Sequence, residues 1–274
     1  MKSDPELLAE VPETAARGSV ASTYVDIRRV LGVPTVMLVY RVLAVQPGRL
    51  ERVWDAIAAN LAAAATQRDA RMLDPPEIGR VEQVPKETIA VAGVDPVLLA
   101  ATLDCFDRSN RLNLIGLTTL LTGSPGNADA DPRPAPPTVL PEMLPMADLG
   151  SIPRTRIALL RQMSAPIAGP EEPLVIPSLF RYLAHDERLL QATWRSIAPA
   201  ITEDRFQAAV ATIARHAQDL GARMPHPVSR LDDCGAVRIV TRFVTTIPGM
   251  ILTSTLLRLA LRVSPVDRSA HPTA

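Results

Sequence analysis

One pattern occurs twice in the chain at a fixed spacing. Tyr40-Arg41-Val42-Leu43-Ala44 leads to Trp54-Asp55-Ala56-Ile57-Ala58, and Phe180-Arg181-Tyr182-Leu183-Ala184 leads to Trp194-Arg195-Ser196-Ile197-Ala198. Each residue stands 140 positions from its counterpart, and the chain's only two tryptophans fall in register. Upstream, Val33-Pro34 matches Ile176-Pro177 if the first copy carries three extra residues. A unit repeated at this period buries its apolar face against a neighbouring copy. The expected fold is therefore two tandem repeats of about 130 residues packed as a pseudo-dimer, with a ligand site where each half supplies different residues.

Between the copies, Gly123 to Pro153 holds eight of the chain's 26 prolines. Proline lacks the amide donor and blocks regular helix, so this stretch reads as an extended linker. The resulting division is an N-terminal tail over 1–20, repeat 1 over 21–122, the Pro-rich linker over 123–153, repeat 2 over 154–263 and a C-terminal tail over 264–274. Within the repeats the patterning is helical. Trp54 to Leu73 is Ala-rich with apolar residues at three- and four-residue spacings. Asp95-Pro96 is a helix start, and the helix should run to about Leu121. Thr202-Glu203-Asp204 should open another, running to about Leu220 and closed by Gly221. Asp232 or Asp233 should open the last, to about Arg262. No alternating strand pattern and no Asn-Gly hairpin is present, so the fold class is all-α.

Hydrophobic residues make up 47% of the chain, enough for a sizeable core, but aromatics only 3%, so that core must be Ala, Leu, Val and Ile. Lys+Arg and Asp+Glu balance at 29 each, leaving no basic footprint for nucleic acid. The polar N-terminus lacks the apolar region of a signal peptide. The apolar stretches Val33–Val45 and Thr246–Leu261 are interrupted by Arg41 and by Pro248, Gly249 and Arg258, so neither reads as a membrane span. The expectation is a cytoplasmic protein with no nucleic-acid or membrane partner. Its partner should be a small-molecule ligand, an organic acid or apolar metabolite, and a homodimer is an allowed assembly. Cys105 and Cys234 have no CxxC context and read as small buried hydrophobes. The four histidines are scattered, so no metal and no cofactor is expected. Glycine-rich nucleotide loops, H-E-x-x-H and G-x-S-x-G are absent.

A longer series of residues carries a resemblance. Ser22-Thr23-Tyr24-Val25-Asp26-Ile27-Arg28, Val33-Pro34, Arg41-Val42-Leu43-Ala44, Pro47-Gly48 and Trp54 resemble the opening of the group I α-haloacid dehalogenases. The likeness continues through Asn110-Arg111-Leu112-Asn113-Leu114, Leu144-Pro145-Met146-Ala147-Asp148, Leu159-Leu160-Arg161 and Pro177-Ser178-Leu179-Phe180. It spans residues 20 to 262. The resemblance implies an all-α pseudo-dimer that needs neither metal nor covalent ester. An Asp in the second repeat activates water, which displaces halide beside a carboxylate, and an Asn in the first repeat helps hold that water.

Carried over residue by residue, the family's Asn falls on Asn110. Its base falls on Leu179, between Ser178 and Phe180. Leucine cannot take a proton, and general-base catalysis contributes about 10²–10⁴-fold. The resemblance places Thr35, Leu38, Asn113, Ser178, Val240, Phe243, Val244 and Ile247 around the substrate. Thr35, Asn113 and Val240 stand where aromatic residues are expected. Ser178 and Thr35 offer a ligand hydroxyls or cap helices beside Pro. Asp107 either replaces the base or forms a surface pair with Arg111. Arg41 and Arg181 either grip a carboxylate or make a structural salt bridge, which their recurrence favours. Trp54 and Trp194 read as core anchors. The function expected is that of a diverged, dehalogenase-like hydrolase with an apolar pocket and its water-activating Asp missing. The alternatives are a cofactor-free cyclase or isomerase acting on a larger apolar intermediate, and a non-catalytic small-molecule binder.

Overall fold

A computed structural model describes residues 8–169 and 174–264. The expected tail residues 1–7 and 265–274 lie outside it. Helices α1 (Gly18–Leu31), α2 (Leu38–Leu43), α3 (Arg49–Ala62), α4 (Ala64–Arg71), α5 (Lys86–Val91) and α6 (Pro96–Thr122) precede the linker. Helices α7 (Arg154–Ala168), α8 (Ser178–Leu183), α9 (Glu187–Ile201), α10 (Asp204–Gly221) and α11 (Cys234–Leu261) follow it. Among the described residues there is no strand; isolated bridges occur, among them Ala63–Pro134 and Ser124–Val228. The protein is all-α.

The short helix α2 and the longer α3 have counterparts in α8 and α9. Pro177 caps α8 where Met37 caps α2, so no insertion separates the helix starts; Leu38 corresponds to Ser178 and Val39 to Leu179. Upstream, three residues, Thr35 to Met37, stand between Pro34 and α2, and none between Pro177 and α8.

Local chemistry sets the helix boundaries. Asp95 accepts the Val97 amide hydrogen with Pro96 at the first helical position, so α6 starts as its sequence requires. Asp233 accepts from the amides of Gly235 and Ala236 at the start of α11. The expected single helix from Trp54 to Leu73 is two helices. Ala63 is extended (ψ 135°), and the linker pairs across the break: the Ala64 amide donates to Arg133 O and the Ala135 amide to Ala62 O, each at 2.8 Å. Propensity inside the segment gives no sign of this, because a chain stretch distant in sequence makes the break.

Helices α6 and α11 cross the middle of the molecule and pack most extensively on each other. Helix α11 continues through Pro248 despite a cost of about 3 kcal/mol, because Pro248 and its neighbours are buried on every side. Gly249 and Gly221 allow close crossings: an added Cβ would meet Ile167 at 2.9 Å and Thr119 at 2.6 Å respectively. Helix α11 contains an 18-residue window of mean hydropathy 1.4, apolar enough for a membrane, but 72% of it is buried inside the fold. Its apolarity serves the core.

Several expectations shift. Residues 8–17 are packed, not a tail: Val11 N donates to Arg41 O at 2.9 Å, and the Tyr24 hydroxyl donates to Val11 O at 2.9 Å. Trp54 is a core anchor, but Trp194 is only partly buried. Cys105 is buried, whereas Cys234, at the start of α11, is exposed.

Asp233 also joins the two ends of the sequence, through Arg49 Nε at 3.0 Å. That guanidinium, with the Ala236 and Gly235 amides, holds the Asp233 carboxyl at about 2, below its usual range. Its unfolded value is about 3.9. The stabilisation is therefore complete above about pH 4 and is lost as pH falls through about 2. The difference in melting temperature between the protein and Asp233→Asn should be constant from pH 7 to 5 and shrink toward zero by pH 2. A gap independent of pH would show that the carboxylate contributes nothing.

Candidate functional site

Helices α2, α6, α8 and α11 surround a cavity near the centre of the molecule. It is lined by Met37, Leu38 and Val39, by Phe106, Asn110 and Asn113, by Val175, Pro177, Ser178 and Leu179, and by Phe243, Thr246, Ile247 and Met250. Both halves of the sequence contribute. The room for centres of water-sized molecules is about 40 Å³, space for two or three waters or a very small organic ligand.

Helical periodicity explains which side chains arrive there. On α6, Phe106, Asn110 and Asn113 stand at i, i+4 and i+7 and share a face. On α11, Phe243, Thr246, Ile247 and Met250 stand at i, i+3, i+4 and i+7. Seven of the ten residues expected around a ligand meet at the cavity: Asn110, Leu179, Leu38, Asn113, Ser178, Phe243 and Ile247. Three do not. Thr35 is buried away from it, its hydroxyl donating to Glu13 Oε1 at 2.9 Å. Val240 is fully buried one turn before Phe243, and Val244 turns to a neighbouring face of α11. Thr246 and Met250 were missed, although the α11 period that selects Phe243 and Ile247 also selects them.

The polar groups of the cavity are oriented. Tyr40 donates its hydroxyl to Asn113 Oδ1 at 2.7 Å, and its ring meets Trp54 edge-on at 5.3 Å. Burial pushes the Tyr40 phenol far up, so it remains a donor. With its oxygen engaged, Asn113 has its amide hydrogens left for the cavity. Ser178 Oγ accepts from Arg41 Nη2 at 2.9 Å, which leaves the Ser178 hydroxyl hydrogen free to donate. Asn110 is only 8% exposed, and its carboxamide has no partner among the described residues. It lines the cavity, where a ligand or water can pair with it. Thr246 donates to Arg242 O at 2.8 Å.

No Asp, Glu, His, Cys, Lys or Tyr is among the lining residues. Leu179 is fully buried and lines the cavity. Asp107 is not among the lining residues: both its oxygens accept from Arg111 Nε at 3.1 Å, beside a separate surface crevice. Arg41 and Arg181 hold the chain's own Glu10, at 2.9 Å each. Among the described residues no group of three His, Cys, Asp or Glu is placed to hold a metal ion.

No protein-family model and no curated protein matches the chain. Solved structures do. A crystal structure of a D-2-haloacid dehalogenase mutant superposes with a TM-score of 0.79 at 18% identity, covering 93% of this chain and 96% of the other. D-2-haloacid dehalogenase in complex with L-LA gives 0.79 at 18% identity, with coverage of 93% and 97%. A mutant of the enzyme with D-2-CPA gives 0.77 at 18% identity, with coverage of 93% and 96%. The class defined is the all-α dehalogenase fold. This chain has the fold of the D-2-haloacid dehalogenases over nearly its whole length.

Tyr40→Phe should cost about 1–3 kcal/mol in urea denaturation, because it leaves Asn113 Oδ1 buried without a donor. Adding Asn113→Leu should recover most of that loss. Unchanged stability in the single variant would mean that the bond does not orient Asn113.

Proposed function

We propose that the cavity binds a small carboxylic acid, and that the chain has diverged from general-base dehalogenation. One observation carries this reading: a cavity without any titratable group carries hydrogen-bond donors on Asn110, Asn113 and Ser178. Donors facing an enclosed, largely apolar space suit an acceptor-rich ligand with a short apolar body. Two buried guanidiniums share one carboxylate just behind Ser178, adding positive potential on that side. The structural neighbours are by name enzymes of 2-haloacids, so a short 2-substituted acid is the first ligand class to test.

The absence of a lining carboxylate argues against hydrolysis. Water must lose a proton to displace halide, and Leu179 offers no lone pair. Asn110 can hold a water or an acid oxygen but cannot deprotonate either. The size of the cavity argues against the larger cyclase or isomerase substrate, because drug-sized ligands occupy about 300–1,000 Å³.

The protein should release no halide above background from either enantiomer of 2-chloropropionate. Leu179→Asp should release it at least about 10²-fold faster, because the new carboxylate stands where the resemblance puts the base, with Asn110 lining the same cavity. Leu179→Asn, polar but not basic, should remain silent. Halide release by the unaltered protein would overturn the proposal and require a base elsewhere.

A further inference from the structure

We propose that Arg41 and Arg181 form an anion site for a small carboxylate, and that Glu10 is its internal occupant, seating the N-terminal segment as a displaceable cover over the cavity. The arginines come from corresponding positions on α2 and α8, and their side chains are 1% and 6% exposed. Glu10 spans them: Arg41 Nε donates to Oε2 and Arg181 Nη1 to Oε1, each at 2.9 Å. Two guanidiniums against one carboxylate leave an excess positive charge. Another acid of this region, Glu13, is engaged with Arg28, the Thr35 hydroxyl and the Val36 amide. A planar carboxylate spread over two forked donors is the geometry that binds free carboxylates.

The segment bearing Glu10 is well placed to act as a cover. Leu8 and Glu10 wall a small space, of about 20 Å³, that shares Leu38 with the central cavity. Leu8 also walls a crevice that shares Phe243 with the cavity. Residues 8–11 have no helix of their own. Besides Glu10, they are tied by the Val11 amide to Arg41 O and by the Tyr24 hydroxyl to Val11 O. A segment held by so few bonds opens at lower cost than the helices beneath it. Arg41 links the two sites, since the guanidinium that holds Glu10 also holds Ser178 Oγ at the cavity. The anion site stands whatever ligand the cavity takes.

Chemical rescue tests this. Glu10→Ala leaves two buried cations without a counter-charge and should melt about 10 °C lower. Sodium acetate at 100 mM should restore at least half of that loss, sodium chloride at the same ionic strength much less. Acetate should raise the unaltered protein, whose anion site is filled, far less than the variant, any rise there coming from the cavity. Acetate acting no better than chloride on the variant, or equally on both proteins, would overturn the proposal. A second readout covers poor folding of the alanine variant. In Glu10→Gln, exchange of the Val11 amide hydrogen should accelerate at least tenfold while the α6 amides keep their rates. An unchanged Val11 rate would show that Glu10 does not hold the segment down.

Discussion

One carboxylate bridges two buried guanidiniums, and much of the architecture follows from it. Arg41 on α2 and Arg181 on α8 come from opposite halves of the sequence, and both are almost wholly buried. Burying an unpaired guanidinium costs several kcal/mol, so both must find acceptors within the fold. Glu10 supplies them, with Val36 O and Ser178 Oγ completing Arg41 and Ala147 O completing Arg181. The N-terminal segment, the short helix of each half and the end of the linker are thereby fixed to one point. The central cavity lies beside that point.

The molecule has the fold of the D-2-haloacid dehalogenases, and no titratable side chain lines its central cavity. Packing of α6 against α11 brings two asparagines and a wall of Phe243, Ile247 and Met250 together, while α8 contributes Ser178 and Leu179. Each polar group is fixed by a neighbour that is not itself in the cavity: Tyr40 behind Asn113, and Arg41 behind Ser178. Asn110 alone is left without a partner. Such an arrangement suits the acceptor-rich ligand proposed above.

The helices were legible wherever their ends were written locally. Asp95-Pro96 and Asp233 gave the starts of α6 and α11 because an N-cap acts within three residues. The break at Ala63 was hidden, because Arg133 and Ala135 of the linker make it from about 70 residues away. Much of the cavity lining was legible, since the Asn110-Asn113 pair on α6 and the family register on α8 both led to residues that line it. Thr35 was misread for an instructive reason. Its neighbour Pro34 fits the family pattern, yet its hydroxyl is taken by Glu13, a residue assigned to a tail. The same misreading hid Glu10: nothing in a polar N-terminal sequence reveals that one of its acids is destined for a buried pair of arginines. The alternative readings of Arg41 and Arg181 also converge, for the carboxylate they grip is the chain's own.

The central claim is that the cavity is built for a carboxylate rather than for apolar bulk. Calorimetric titration of the protein with 2-chloropropionate and with its neutral isostere, 2-chloropropionamide, tests it most directly. The two ligands have nearly the same shape and differ in charge and in donor pattern. The account predicts that the acid binds at least about tenfold tighter, a difference of about 1.4 kcal/mol. Equal or tighter binding of the amide, or no binding of the acid, would contradict it.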